Sequence, residues 1–427
     1  MSVPKRWIGL ALSIVASIVL YYHPVSWFSM SKRVVVLGGG VVGLQTAVDL
    51  LEAGYAVNVI SKHLPGDIDL NYPSQQAAAT WASDEPVVDA ETKRWYEEGY
   101  NQWEVMSQGD EFESAGVAKR PCFRYWENPP ENLVKGGSSA LWHSEGVSSF
   151  RILTSEELPS GVGFGTTFTT FCVNAPAYLE YFQSRILALG GTIKRATLPV
   201  DKGLEEGLKA ARLLIADELA GSKNQSIYAY VNAMGMNAMR LADDKTLFPI
   251  RSQSIHIKGE AHKIADRIDA NGIYYAIPRV GEGVTVLGGF MEAGNWNATV
   301  NPEINRKILK GCKQLIPECL DENGEFTILK EYVGLRPHRK AGPRVEIEQL
   351  KDKAEFGESI VVHNYGHGPG GFFKSVGASR KVVRLLNSFA SGTLSEADAE
   401  TSSSSSKEQE VFEGFYRQGG DSKKEDV

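Results

Sequence analysis

Residues 33–61 read RVVVLGGGVVGLQTAVDLLEAGYAVNVIS, and this stretch decides the fold. The apolar runs at residues 34–37 and 55–60 predict two buried strands. Between them, apolar residues recur at helical spacing over residues 41–53, and Gly54 ends the predicted helix. This strand–turn–helix–strand order is typical of a mononucleotide-binding unit and predicts a parallel sheet.

The turn before the helix carries Gly38, Gly40 and Gly43 in a G-x-G-x-x-G pattern. Such glycines permit a tight turn, a close backbone approach to a pyrophosphate and close packing of helix against sheet. The phosphate charge then meets the N-terminus of the helix, so we expect Val41 and Val42 to contact the ligand as well. The motif therefore predicts that a dinucleotide binds here.

The end of the second predicted strand departs from the usual pattern. An acid is expected there to hold ribose hydroxyls, but the sequence has Ser61, Lys62 and His63 instead. We expect Ser61 and Lys62 to contact the cofactor. Because Lys62 suits a phosphate group, the motif alone also admits NADP.

Downstream, the chain is predicted to interleave two domains. Residues 64–174 are rich in Trp, Tyr, Pro and Gly and show no regular alternation of strand and helix, which indicates an inserted domain. From residue 175 the α/β rhythm returns, and short strands near residues 253–257, 273–278, 284–290 and 332–335 suit an antiparallel sheet. We predict a mixed α/β fold with two parts: a Rossmann-type cofactor domain (residues 31–80, 174–255 and 340–390) and an interleaved antiparallel-sheet substrate domain (residues 81–173 and 256–339).

The two ends of the chain differ in composition from the rest. Lys5 and Arg6 precede an apolar run at residues 7–22, slightly shorter than the ~20 residues of a membrane helix. We expect residues 1–30 to associate the protein with a membrane; the alternative is a start at Met30 and a cytoplasmic or peroxisomal enzyme. Residues 391–427 hold nine acidic and four basic residues, a composition that predicts disorder.

Charge and cysteine content argue against a nucleic-acid-binding protein, a metal-binding protein and a disulfide-rich protein. The net charge of −7 gives no indication of a basic surface that would bind nucleic acid. The four cysteines are widely spaced and form no C-x-x-C pair, so neither a metal site nor a disulfide framework is expected: they are Cys122, Cys172, Cys312 and Cys319.

The most specific functional signal lies between residues 334 and 371. The segments GLRPHR (334–339), GPRVE (342–346) and VVHNYGHGPGG (361–371) resemble, in wording and spacing, the signature region of D-amino-acid oxidases, especially fungal ones. Further similarity covers nearly all of residues 33–386, including YAIP at 275–278. The resemblance implies FAD as the cofactor. It also implies oxidation of a D-amino acid by dioxygen to a 2-oxo acid, ammonia and hydrogen peroxide.

The same resemblance implies roles for individual residues. Arg336 matches the arginine that pairs with the substrate carboxylate, a task suited to the guanidinium fork. Tyr275 matches a tyrosine that adds a hydroxyl contact, whereas Tyr274 alternates to the other strand face and is expected to pack. The family mechanism needs no acid or base, so His367 is assigned to the loop only. Further cofactor contacts are implied at Leu198, Gly366, Gly368, Pro369, Gly370, Gly371, Phe372 and Phe373.

Two departures from the family pattern bear on the substrate. Met291 replaces a second active-site tyrosine, and Phe373 stands where relatives often have a polar residue. Both changes predict an apolar pocket that favours hydrophobic D-amino acids. Arg267 would instead select an acidic side chain if it entered the pocket, although most loop arginines are solvated. The alternatives are a D-aspartate oxidase and a flavoprotein without turnover, and the sequence is also compatible with a homodimer.

Overall fold

The computed structural model describes residues 31–82, 89–108, 114–221, 226–270 and 272–394. The predicted membrane anchor at residues 7–22, the alternative start at Met30 and the tail from residue 395 lie outside these ranges. Within them, no helix combines the length and the apolar character needed to cross a bilayer.

The first sheet has a parallel core. Its strands are β1 (Arg33–Leu37), β2 (Ala56–Ser61), β7 (Thr192–Arg195), β8 (Ala229–Asn232), β14 (Arg344–Gln349) and β15 (Ile360–Tyr365). They lie in the order β14-β15-β8-β1-β2-β7, and only β14 runs antiparallel to its neighbour. The central strand β1 has residues 34–37 fully buried, because helices cover both faces of a parallel sheet.

The helices that cover and flank the sheets follow one another along the chain as α1 to α10. They are α1 (Val41–Glu52), α2 (Ala90–Met106), α3 (Glu131–Gly136), α4 (Ala175–Ala188), α5 (Leu204–Leu214), α6 (Ala216–Ala220), α7 (Ala238–Leu241), α8 (Pro302–Cys312), α9 (Lys353–Phe356) and α10 (Gly371–Ser391). The long helix α10 packs on both α1 and α2 and ends at Gly392 in the left-handed conformation, a common helix stop.

The second sheet supplies the floor of the site. Its strands are β3 (Ala79–Thr80), β4 (Val117–Trp126), β5 (Ser148–Ile152), β6 (Phe164–Val173), β9 (Leu247–Lys258), β10 (Ile264–Asp269), β11 (Gly272–Arg279), β12 (Val284–Ala293) and β13 (Ile328–Arg339). The order is β13-β9-β12-β11-β10-β4-β6-β3, with β5 beside β6, and the pairs are antiparallel except β10 with β4. Helix α8 covers one face of this sheet, where Gln253 of β9 donates to the Asn301 carbonyl oxygen.

The mixed α/β fold with a Rossmann-type sheet and a largely antiparallel second sheet is confirmed. Strand β9, however, belongs to the second sheet over its whole length, so the predicted boundary between residues 255 and 256 falls inside it. An apolar pattern identifies a strand but does not say which sheet it joins.

Helix α2 lies in the stretch of residues 64–174, for which the sequence predicted no regular alternation of strand and helix. Its buried residues Trp95, Tyr96, Gly99, Tyr100 and Trp103 recur at helical spacing, and Asp89 caps its first amides. The high content of aromatic residues obscured this periodicity.

Candidate active site

The glycine turn joins β1 to α1, and its backbone leaves no room for a side chain at Gly38 or Gly43. Gly38 has φ +114°, and a Cβ there would lie 2.3 Å from the Ala233 carbonyl oxygen. A Cβ on Gly43 would lie 2.1 Å from the Gly38 carbonyl oxygen, so α1 packs directly on the turn. Gly40 caps α1 without a side-chain hydrogen bond. The first amides of a helix have no intrahelical acceptor, and here they suit an anionic pyrophosphate.

A cleft of about 1300 Å³, open solvent included, runs from this turn to β9 and β13. It is lined by most of the predicted site residues: Gly38, Gly40, Val41, Val42, Ser61, Lys62, Tyr275, Arg336, Gly366, Gly368, Pro369, Gly371 and Phe372. Gly43, Leu198, Met291, Gly370 and Phe373 do not line it. Leu198 is 5% exposed and packs in the apolar core beside β1 and β2.

Ser61 connects the end of β2 to the glycine turn. Its hydroxyl accepts from the Gly39 amide at 2.9 Å and donates to the His63 carbonyl oxygen at 2.7 Å. Lys62 is exposed at the rim of the cleft. The His63 ring stacks on Tyr72, with ring centroids 5.8 Å apart. The polar groups at this position are therefore a serine, a lysine and a histidine, in place of the acid that the motif usually has.

The loop at residues 366–371 closes the opposite wall of the cleft. Gly366 has φ +86°, and a Cβ there would lie 2.7 Å from the Cβ of Arg339. Gly368 has φ +58°, and its Cβ would lie 2.4 Å from the Nδ1 atom of His338. Because glycine has no side chain, the chain can pass this closely over the end of β13, and its backbone lines the cleft there.

His367 is held neutral in this loop. Burial is the main cause that lowers its pKa to about 3. The Asn364 amide nitrogen donates to Thr46 Oγ1, so its oxygen is the acceptor for His367 Nε2 at 2.8 Å. This fixes the proton on Nε2 and gives the ring a packing role, as the loop assignment requires.

Tyr275 and Arg336 meet in the cleft. Arg336 Nη2 donates to the Tyr275 hydroxyl oxygen at 3.3 Å, and Nη1 donates to the Met291 sulfur at 3.5 Å. Among the described residues no carboxylate pairs with Arg336. A thioether is a weak acceptor, so this half-buried guanidinium retains capacity for an anionic ligand.

A β-bulge brings Met291 to the clamp. Gly289 pairs with Gln253 and Met291 pairs with Ser252, while Phe290 between them is unpaired and has φ +54°. The extra residue shifts Met291 to the face of β12 that carries the site. Bulges redirect side chains in this way next to active sites.

Gly288 decides the orientation of Tyr275. A Cβ on Gly288 would lie 2.1 Å from Cζ and 2.2 Å from the hydroxyl oxygen of Tyr275. The tyrosine ring therefore lies flat across β12, over the glycine, and its hydroxyl reaches towards β9 and Arg336. The sequence alone assigned no role to Gly288. Its importance becomes visible only when β11 and β12 are paired, because the Tyr275 ring then occupies the space of a side chain at Gly288.

Arg267 lies on the other face of the sheet. It pairs in register with Tyr274, whereas its neighbour Asp266 pairs with Tyr275. Its guanidinium bonds to Glu127 at 2.7 Å, a partner the sequence did not suggest. Tyr274 packs in the core on this face, as expected. The hypothesis that Arg267 enters the pocket is therefore wrong, because strand alternation directs it away from Tyr275.

Phe373 also points away from the clamp. Its ring stacks on Tyr96 of α2, with centroids 4.7 Å apart, and its carbonyl oxygen would lie 2.3 Å from a Cβ on Gly99. The residue anchors α10 to α2. It does not supply the apolar pocket wall that the sequence predicted.

Two other arginines of the signature region form ion pairs. Arg339 Nε bonds to Asp244 at 2.8 Å, and Arg344 bonds to Glu346 at 2.6 Å. Burial raises the pKa of Asp244, but hydrogen bonds from Thr246 and Arg339 outweigh it and lower that pKa to about 2. These pairs hold the end of β13 and the start of β14, which leaves Arg336 as the arginine available to a ligand.

Comparison with known proteins agrees with this geometry. The family model DAO, described as FAD dependent oxidoreductase, matches residues 33–385. The chain belongs to the D-amino-acid oxidase family. FAD is therefore the cofactor, and the glycine turn, the N-terminus of α1 and the glycine loop fit its pyrophosphate and its ring.

Several members of the D-amino-acid oxidase family are similar over most of their length. A D-amino-acid oxidase of Fusarium vanettenii is 30% identical over 375 residues, which cover 84% of this chain and 97% of that protein. A D-aspartate oxidase of Homo sapiens is 31% identical over 366 residues, which cover 84% of this chain and 95% of that protein. The structure of glycine oxidase from Bacillus cereus ATCC 14579 shares the fold, with a TM-score of 0.62, 16% identity and coverage of 84% and 96%.

Proposed function

We propose that this oxidoreductase oxidises D-amino acids with uncharged side chains to 2-oxo acids, with release of ammonia and hydrogen peroxide. The observation that carries the proposal is the half-buried Arg336 guanidinium, which bonds to the Tyr275 hydroxyl and has no carboxylate partner among the described residues. A cation placed in this way suits a bidentate carboxylate.

The clamp orients the substrate. A carboxylate held by Arg336 and the Tyr275 hydroxyl fixes one of the four substituents of the α-carbon, and contacts of the cleft with the amine and the side chain then set the direction of the C–H bond. FAD, when bound, supplies the two-electron acceptor that takes this hydrogen as hydride and passes the electrons to dioxygen. An L-enantiomer held by the same clamp presents either its hydrogen or its side chain on the wrong side.

No side chain is needed to move a proton at the α-carbon. His367, the nearest candidate in the loop, has its Nε2 proton engaged by Asn364 and a pKa lowered by burial to about 3. The side chains of this site therefore bind and orient the substrate.

An uncharged substrate side chain is favoured by the charges around the clamp. Among the residues lining the cleft, the permanently charged groups are Arg336 and Lys62, and Lys62 lies at the end of β2. With Arg267 on the opposite face, a second carboxylate would find no cationic partner next to the clamp. This supports a D-amino-acid oxidase over a D-aspartate oxidase.

The test is anaerobic mixing of the purified, FAD-loaded protein with a panel of D-amino acids, monitored by loss of the yellow flavin absorbance. We expect bleaching by neutral D-amino acids, little bleaching by D-aspartate and none by the L-enantiomers. Admission of air should restore the colour and release peroxide. Fastest bleaching by D-aspartate would favour the aspartate oxidase, and no bleaching by any D-amino acid would refute turnover.

A further inference from the structure

Three hydroxyl side chains next to the clamp have no role in the reaction described so far. We propose that Ser252, Ser254 and Tyr332, here called the hydroxyl floor, bind the side chain of the substrate and select D-amino acids whose uncharged side chains form hydrogen bonds. This inference rests on the proposed function and names the substrate class of the same site.

The strand register places the hydroxyl floor beside the clamp. Tyr332 of β13 pairs with Ser254 of β9, which pairs with Gly288 of β12, which in turn pairs with Tyr275 of β11. These four residues form one row on one face of the sheet. The Tyr275 ring lies over Gly288, so its hydroxyl points along this row.

Ser252 lies in the adjacent row, between Ser254 and the clamp. It pairs with Gly334 on one side and with Met291 on the other, and Met291 contacts Arg336. The alternate β9 residues Arg251 and Gln253 bond to the segment before α8 on the opposite face. The hydroxyl floor therefore faces the same cleft as the carboxylate clamp.

The floor is polar and its hydrogen-bonding capacity is not used by the protein. All three residues line the cleft, and their hydroxyls have no hydrogen-bond partner within the described parts of the chain. Ser252 is only 6% exposed. A ligand that covers these hydroxyls without bonding to them removes their contact with water, which is costly, whereas a ligand group that bonds to them avoids that cost.

Space for a side chain exists above the floor. A Cβ on Gly334 would meet its nearest neighbours at 3.9 Å, the Cβ of Pro73 and the Oγ of Ser252. The Gly334 position thus has room for one methyl group in contact with the 3₁₀ turn at Pro73–Gln76. Ser252 and Ser254 line the same cleft as Arg336, so a substrate side chain that extends from the clamp can contact the serine hydroxyls.

The chemistry of the floor defines the side chain it fits. Hydroxyls donate and accept hydrogen bonds but carry no charge, so amide and hydroxyl side chains match them. A carboxylate would be desolvated there without a cation. An aliphatic side chain would cover the hydroxyls and leave them unpaired, which is how sites built for hydrogen bonds reject apolar analogues.

D-asparagine and D-leucine separate these cases, because their side chains have nearly the same shape. For the wild-type holoenzyme we expect a higher kcat/KM with D-asparagine. In the double variant Ser252→Ala/Ser254→Ala the ratio of the two kcat/KM values should fall about tenfold, and Tyr332→Phe should lower it about threefold, as expected for lost neutral hydrogen bonds.

Two control variants remove hydroxyls outside the cleft. Tyr125→Phe alters a tyrosine of β4 that stacks on Phe123, and Ser184→Ala alters an exposed serine of α4. Both should leave the substrate ratio unchanged. Bound FAD, measured by the visible spectrum and by the dissociation constant of the apoprotein for FAD, should stay constant in all variants.

Three results would overturn the inference. The first is a wild-type preference for D-leucine. The second is an equal loss of kcat/KM for both substrates in the double serine variant. That result would mean that the hydroxyls contact the amine or the carboxylate, which all amino acids share. The third is a weakened affinity for FAD, which would assign them to the cofactor. Failure of the proposed function is a separate outcome, in which neither substrate bleaches the flavin.

Discussion

The two ends of the cleft bind their ligands by different means. At the cofactor end, backbone atoms of Gly38, Gly40 and the loop around Gly368 form the walls, and added side chains would collide with them. At the substrate end, side chains from β9, β11, β12 and β13 converge on one face of a sheet. The backbone walls at the cofactor end depend on the local sequence. The side chains that meet at the substrate end depend on the register between strands. The two ends should therefore respond differently to mutation.

The largest effect is expected at the cofactor end, for Gly38→Ala. The new Cβ would lie 2.3 Å from the Ala233 carbonyl oxygen, at a φ of +114° that only glycine adopts readily. We expect loss of FAD binding and a destabilisation of more than about 4 kcal/mol. FAD titration by fluorescence and thermal unfolding measure both.

Gly54→Ala is the matched control. Gly54 has φ +89°, but nothing lies within 4 Å of its Cβ position, so only the backbone strain of about 1 kcal/mol is expected. Equal effects of the two variants would show that close approach at the turn does not matter.

A smaller but specific effect is expected at the substrate end, for Arg336→Ala. Removal of the guanidinium should lower kcat/KM about 10³-fold, or about 4 kcal/mol, while FAD remains bound. Steady-state kinetics and the visible spectrum of the purified protein check this. Arg336→Lys should retain only a small part of the wild-type kcat/KM, because an ammonium group cannot form the bidentate pair with a carboxylate. Near-normal activity of Arg336→Ala would remove the clamp assignment.

Gly288→Ala should come next, since it acts through Tyr275 alone. Its Cβ would displace the tyrosine ring that lies 2.1 Å from the Cβ position, and we expect kcat/KM to fall about 10²-fold, the typical cost of a misplaced group. Gly334→Ala, which meets nothing closer than 3.9 Å, should fold and bind FAD normally. In the Tyr275→Phe background, Gly288→Ala should have a smaller effect; an unchanged effect would mean that the glycine acts through another residue.

The smallest effect is expected for Arg267→Ala. The arginine pairs with Glu127 on the far face of the sheet, so the ratio of kcat/KM for D-aspartate and D-alanine should change less than about twofold, within the scatter of surface-charge effects. A large loss of D-aspartate oxidation would place Arg267 in the pocket after all.

Some residues of the site could be predicted from sequence motifs, and others could not. Arg336 and Tyr275 follow from their motifs, and the structure places them 3.3 Å apart. Met291 was expected in the substrate pocket at the place of a tyrosine, and it reaches Arg336 because of the bulge at Phe290. Phe373 was expected in the pocket and instead stacks on α2, because the rotation of α10 about its axis is set by packing on a helix that the sequence pattern did not reveal.

By itself, the sequence determined the parts of this protein that local patterns encode. The strand, glycine turn and helix of residues 33–52 follow from apolar periodicity and glycine spacing, and the GLRP and glycine-loop motifs identify the family and FAD. Only the tertiary structure decided which side chains share a face. Strand register directs Ser252, Ser254 and Tyr332 into the cleft and turns Arg267 away, and one bulged residue brings Met291 to Arg336. The physical reason is that side chains alternate along a strand, so a shift of one residue reverses the face.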